Sequence, residues 1–195
     1  MKKTIENLTK AFVGESQARN RYTFYASTAR KEGYEQIAAI FTLTADNENE
    51  HAEWFFKMLR QVAGQTGEKL DNLAVETDVP AVWSNRTLDN LKAAAAGEKL
   101  ENTKLYPEFA RVAEMEGYPD IARRIRSIAV AEKHHEDRYG KLIKEIEAGT
   151  LFQKKEPVYW VCRKCGFLHH GMAPPEKCPS CDHERSYYER QSETY

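Results

Sequence analysis

The chain has 195 residues, with 29 basic against 30 acidic side chains and a net charge of −1. That length holds one domain of ordinary size plus a small module, and the balanced charge argues against nucleic acid or an anionic membrane as a partner. The basic start is followed by Glu6, Lys10 and Glu15 where a secretory leader needs an apolar core, and no apolar run approaches a membrane span. All four cysteines fall after residue 161, which excludes a disulfide-stapled secreted fold and leads to the expectation of a cytoplasmic location.

Residues 4–32 are predicted as one helix, with Ile5, Leu8, Phe12, Tyr22, Tyr25, Ala26 and Ala29 at three-and-four spacing. Gly33 ends it. A second helix is predicted from Tyr34 to about Val62, stopping near Gly64 and Gly67. Residues 65–85 read as an irregular, partly apolar crossing long enough to carry the chain from one end of a bundle to the other. A third helix is predicted from about Arg86 to Glu116. A fourth runs from Pro119, well placed in a first helical turn, to about Ala148. Gly149 closes the bundle. The reading divides the chain into a bundle over residues 1–149, a linker over 150–157 and a small module over 158–195.

The two halves of the bundle repeat. Glu32-Gly33-Tyr34 recurs as Glu116-Gly117-Tyr118, and Glu48 with His51 recurs as Glu132 with His135, at a shift of 84; Glu15 and Glu98 are 83 apart. The third helix therefore carries one extra residue, most simply absorbed as a π-bulge between Glu98 and Phe109. Pro107 inside the same stretch is expected to kink it.

A lone Glu-x-x-His pair is weak evidence of metal binding, but register changes its meaning. From the Gly33 turn, Glu15 lies 18 residues back and Glu48 15 forward, roughly 27 and 23 Å along antiparallel helices. Glu98 and Glu132 stand in nearly the same relation to the Gly117 turn. Four buried carboxylates at one level would repel and desolvate at large cost, so they call for cations. One Glu from each of two helices and Glu-x-x-His from the other two is the layout of a ferritin-like two-metal site. Carboxylates with two imidazoles suit iron or manganese. Glu48 and Glu132 are the expected bridges, Glu15 and Glu98 the caps, and Glu101 a seventh, surplus ligand that would let one metal exchange partners. His134 is expected at the surface.

Cys162-x-x-Cys165 and Cys178-x-x-Cys181 are two knuckles separated by twelve residues. Four thiolates so spaced form a closed tetrahedral site for zinc or a single iron. Tyr159, Trp160, Phe167, Tyr187 and Tyr188 around them favour a small packed β-module. His169, His170 and His183 are expected in loops.

With Gly-Glu at 14 and 97, Glu-x-x-His at 48 and 132, Gly-Glu-x-x-Glu at 97–101, a Cys-Pro-x-Cys second knuckle and Trp160 before the first, the chain resembles the rubrerythrin family from end to end. The resemblance implies a mainly α fold, a ferritin-like four-helix bundle with a long crossover, followed by a rubredoxin-like β-module. It implies three irons per chain and no haem or flavin: a di-iron site held by Glu15, Glu48, His51, Glu98, Glu101, Glu132 and His135, and an electron-passing iron on Cys162, Cys165, Cys178 and Cys181. The implied reaction is reduction of hydrogen peroxide to water in defence against oxidative stress. One iron would move between Glu101 and His51, and Tyr22 and Tyr106 would hydrogen-bond to metal-bound carboxylates. The implied partners are a second copy, paired head to tail or in a higher oligomer, and an external donor such as a rubredoxin or an NAD(P)H-dependent reductase. Two rivals stand beside this reading: a ferroxidase or iron-handling ferritin-like protein, and a zinc-ribbon interaction module on a helical scaffold.

Overall fold

The computed structural model describes residues 2–192; Met1 and residues 193–195, counted above in the bundle and the module, lie outside the described residues. Helix α1 spans Lys3–Lys31 and α2 spans Glu35–Thr66. The third arm is built from α3 (Thr87–Leu100), a π-helical turn (Glu101–Leu105) and α4 (Tyr106–Met115). Helix α5 spans Pro119–Glu147. The expected π irregularity thus falls between Glu98 and Phe109, where the Tyr106 N–H reaches back to the Glu101 carbonyl. Helix α2 continues four residues beyond its predicted end: Gly64 stays helical, and Gly67, at φ +73°, is where the chain turns away.

Each half of the bundle is an antiparallel hairpin, α1 along α2 and α3–α4 along α5. The hairpin corners repeat in detail. Gly33 and Gly117 take φ +77° and +89°, the left-handed region that glycine adopts without strain. There the Tyr34 N–H donates to the Ala29 carbonyl at 2.9 Å and the Tyr118 N–H to that of Ala113 at 2.8 Å, the six-to-one closure of a Schellman motif. The glutamate before each glycine reaches the other hairpin. Glu116 accepts from the Lys3 and Thr4 N–H groups at 3.1 and 3.0 Å, and Glu32 accepts from the Thr87 N–H. Both carboxylates occupy the positive end of a helix whose first amides have no internal partner.

The apolar core has two parts. One gathers Ile5, Leu8, Phe55, Leu59, Phe109 and Ile125; the other gathers Tyr25, Ala29, Phe41, Leu91, Tyr139 and Leu142. In every arm the predicted glutamate lies between the segment feeding one part and the segment feeding the other. The polar groups therefore form a layer across the middle of the bundle.

After the bundle, β1 (Val158–Cys162), β2 (Leu168–Gly171) and β3 (Tyr188–Arg190) form an antiparallel sheet in the order β2-β1-β3. Its small core holds Trp160, Cys162, Cys178 and Tyr188. His169 and His170, expected in a loop, lie in β2 opposite Trp160 and Tyr159. The His170 ring packs on Tyr159 at 4.7 Å, and a short outer strand tolerates such polar residues because only one of its edges is paired. His183 is outside the strands, as expected. The module sits beside the Gly33 corner: a Cβ on Gly33 would lie 3.5 Å from Ser186 Cβ, and Phe152 stacks on Tyr34. Among the described residues no helix is long and apolar enough to cross a membrane.

Candidate metal centres

The polar layer resolves into two overlapping groups. Glu15, Glu48, His51 and Glu132 form one, and Glu48, Glu98, Glu132 and His135 the other, with the ligand atoms of each within 4.8 Å of one another. Glu48 and Glu132 belong to both, matching their expected central place, while Glu15 and Glu98 sit at opposite ends. His51 Nδ1 lies 2.9 Å from Glu132 Oε1 and 3.0 Å from Glu48 Oε2. His135 Nδ1 lies 3.0 Å from Glu132 Oε2, 3.2 Å from Glu48 Oε1 and 3.5 Å from Glu98 Oε2.

The donor set fits two cations. Glu15 Oε2, Glu48 Oε1, Glu98 Oε2, both Glu132 oxygens and His135 Nδ1 are buried yet make no aligned hydrogen bond. Such groups are costly to leave uncompensated, and here their lone pairs converge on shared points. Electrostatics agree. Burial, then the Glu48 and Glu132 charges, push Glu98 up to about 8 despite opposition from His135. Burial works against a protonated His51, but Glu132 and Glu48 outweigh it and hold it up at about 10. Without cations the layer gathers protons instead, as a metal site does.

Two of the predicted supporting residues are where they are needed. The Tyr22 hydroxyl donates to Glu98 Oε1 at 2.5 Å, and the Tyr106 hydroxyl donates to Glu15 Oε1. Glu101 stands apart. It is the one predicted ligand of this layer absent from both groups, and it lines an adjoining cavity of about 480 Å³ with Gly14, Arg21, Gly97 and Tyr106. Gly14 and Gly97 flank this space: a Cβ on Gly14 would lie 3.9 Å from Glu101 Oε1, and one on Gly97 3.8 Å from Arg21 Nη2, both ordinary contact distances. His134 is exposed, as expected.

Sequence reasoning missed Asn102 and Arg21. The Asn102 amide donates to the Glu98 carbonyl at 2.7 Å and to Glu136 Oε2 at 2.9 Å, tying the π turn to α5. An asparagine within a helix is unfavourable unless it does local work, and that was its available signal. Arg21 is buried with Nε and Nη1 unpartnered; nothing in the polar pattern of α1 distinguishes it.

The cysteines form the second centre. All four sulfurs lie within 4.8 Å of one another, with Cys162–Cys181 at 3.8 Å and Cys165–Cys178 at 3.6 Å. Sulfurs about 2.3 Å from a central ion at tetrahedral angles are about 3.8 Å apart, so the four sulfurs already hold the dimensions of a closed site.

Fold and sites together define a ferritin-like di-iron carboxylate protein carrying a rubredoxin-like four-cysteine module. The family model for rubrerythrin matches residues 6–143, and that for the rubrerythrin rubredoxin-like domain matches residues 160–189. The chain is 50% identical to rubrerythrin-1 of Clostridium acetobutylicum and to rubrerythrin of Clostridium perfringens, each alignment covering 99% of this chain and 96% of the relative. Among solved structures it is similar to fully reduced, all-ferrous nigerythrin, at 31% identity and a TM-score of 0.62, over 96% of this chain and 86% of that one. The chain belongs to the rubrerythrin family.

Proposed function

We propose that this chain is a peroxidase that reduces hydrogen peroxide to two waters, taking up two electrons and two protons. The reading is carried by one pairing: an enclosed carboxylate–histidine layer that opens on a cavity, in the same chain as a four-cysteine centre. An iron-storage protein has no need of the second centre. Glu15, Glu48, His51 and Glu132 would hold one iron, and Glu48, Glu98, Glu132 and His135 the other. When bound, the irons supply the electrons at the layer and relay them at the cysteines. Tyr22 and Tyr106 hold Glu98 and Glu15 in orientation.

Glu101 and His51 are the exchanging pair, with His51 in the layer and Glu101 in the cavity. Burial, then the Glu98 and Glu132 charges, raise the Glu101 carboxyl well above the usual range.

A head-to-tail pair of chains accounts for electron delivery. The module docks by the Gly33 corner of its own chain, whereas Glu48 lies about 23 Å further along α2 at 1.5 Å per residue. A partner's module can lie nearer to the layer. An external rubredoxin or NAD(P)H-dependent reductase would refill the cysteine centre.

The test is anaerobic stopped-flow of the fully reduced protein against peroxide and against oxygen, following return of the ferric–thiolate colour. Fast return with peroxide and slow return with oxygen are expected. Equal or faster return with oxygen would move the reading to a ferroxidase, and absence of colour to a zinc ribbon on a helical scaffold.

A further inference from the structure

Among the described residues of the C-terminal module, one buried side-chain polar atom lacks a hydrogen-bond partner: the hydroxyl of Tyr188. Tyr188 is fully buried, and β3 sets it directly opposite Cys162 on β1. Trp160, the other amphipathic aromatic of that core, has its ring N–H satisfied by the Gly171 carbonyl at 2.9 Å. Tyr188 has no such carbonyl. It shares that small core with the thiols of Cys162 and Cys178, and its hydroxyl lies within reach of the Cys178 sulfur. A buried phenol normally finds an acceptor. A neutral thiol is a poor one, but metal binding deprotonates the thiols and leaves them as anionic sulfurs.

We propose that in the metal-loaded protein the Tyr188 hydroxyl donates a hydrogen bond to Cys178 Sγ and raises the reduction potential of the four-cysteine iron. The sign follows from charge. Adding an electron makes the sulfur set more negative, so a donor aimed at one sulfur stabilises the reduced form more than the oxidised form. Tyr188 is no ligand; it acts through Cys178. Its effect would be to make the centre a better acceptor from the external donor, at the expense of driving force toward the carboxylate layer. The proposal rests on the electron-carrying reading of the four cysteines.

The substitution Tyr188→Phe removes one oxygen and keeps the ring. The measurement is the midpoint potential of the ferric–thiolate colour in the full-length protein, by spectroelectrochemical titration. The reduction constant is expected to fall at least threefold, about 28 mV at 59 mV per decade for one electron. An unchanged or higher potential overturns the proposal. If the Phe variant does not take up iron, the wild-type chain loaded with cadmium-113 at its cysteines decides by nuclear magnetic resonance. A Tyr188 hydroxyl proton coupled to the metal upholds the proposal; an uncoupled one exchanging freely with solvent overturns it. Colour with an unchanged potential defeats this inference alone, whereas absence of colour in the wild-type protein defeats the electron-carrying reading beneath it.

Discussion

Tyr106 illustrates how much of the metal layer is decided by single atoms. Its hydroxyl engages Glu15 while its ring packs on Phe55 and Phe109 at 5.3 and 6.2 Å. Tyr106→Phe should keep the packing and release the carboxylate, so the helical signal should not change. Loss of such an outer partner costs on the order of tenfold or more in metal affinity. At equilibrium with a competing chelator, iron should therefore be held about tenfold more weakly, and retention equal to wild type would show that the hydroxyl does not position Glu15. At this scale the sequence was legible wherever spacing and height coincided. Glu48 with His51 and Glu132 with His135 are three apart on single faces, and both pairs meet in the layer. Glu101 was not legible in the same way. Three residues after Glu98, it keeps an α-helical N–H bond to the Gly97 carbonyl and stays on nearly the same face, yet its side chain lines the cavity. Arg21 left no trace in the pattern because its neighbours, Gly97 among them, are on another helix.

At the scale of elements, the hairpin corners hold the bundle together across its two halves. Glu116 lies at the start of α1 and Glu32 at the start of α3, so each half closes a helix end of the other. Although burial opposes it, the amides of Thr4 and Lys3 hold the Glu116 carboxyl below its usual 4.5. A group whose folded value is depressed stabilises the fold above its unfolded value, and loses that contribution as pH falls through the folded one. Glu116→Ala should thus lower the stability of the metal-free protein by about 1 kcal/mol at pH 7. In urea denaturation the gap to wild type should narrow as pH drops below 4.5. A gap independent of pH would assign the loss to packing. The repeat of Glu-Gly-Tyr was visible in the sequence, but its purpose was not, because capping across hairpins is a contact between distant segments. The π turn, by contrast, followed from arithmetic alone: one residue too many between Glu98 and Gly117, with no loop to receive it.

For the whole molecule, the proposed head-to-tail pairing makes electron delivery a matter between chains. A variant carrying Cys162→Ser and Cys165→Ser keeps the carboxylate layer, and one carrying Glu48→Gln keeps the cysteines. Each should be inactive alone. Co-expressed, half of the randomly formed dimers are mixed, and each mixed dimer restores one layer served by its partner's module. Peroxidase activity of about one quarter of wild type per chain is then expected, and none if each module serves its own layer. The duplicated hairpins carry one more consequence. Either hairpin supplies one glutamate from its first arm and a Glu-x-x-His from its second, half of everything the layer contains. Were the halves identical, twofold symmetry would make the two metal positions interchangeable, with nothing to tell one from the other. Glu101 falls where the first hairpin carries Ala18, three residues after Glu15, so the two halves do not offer the layer the same groups. On the proposed function, any inequivalence of the two metals would trace to that one carboxylate.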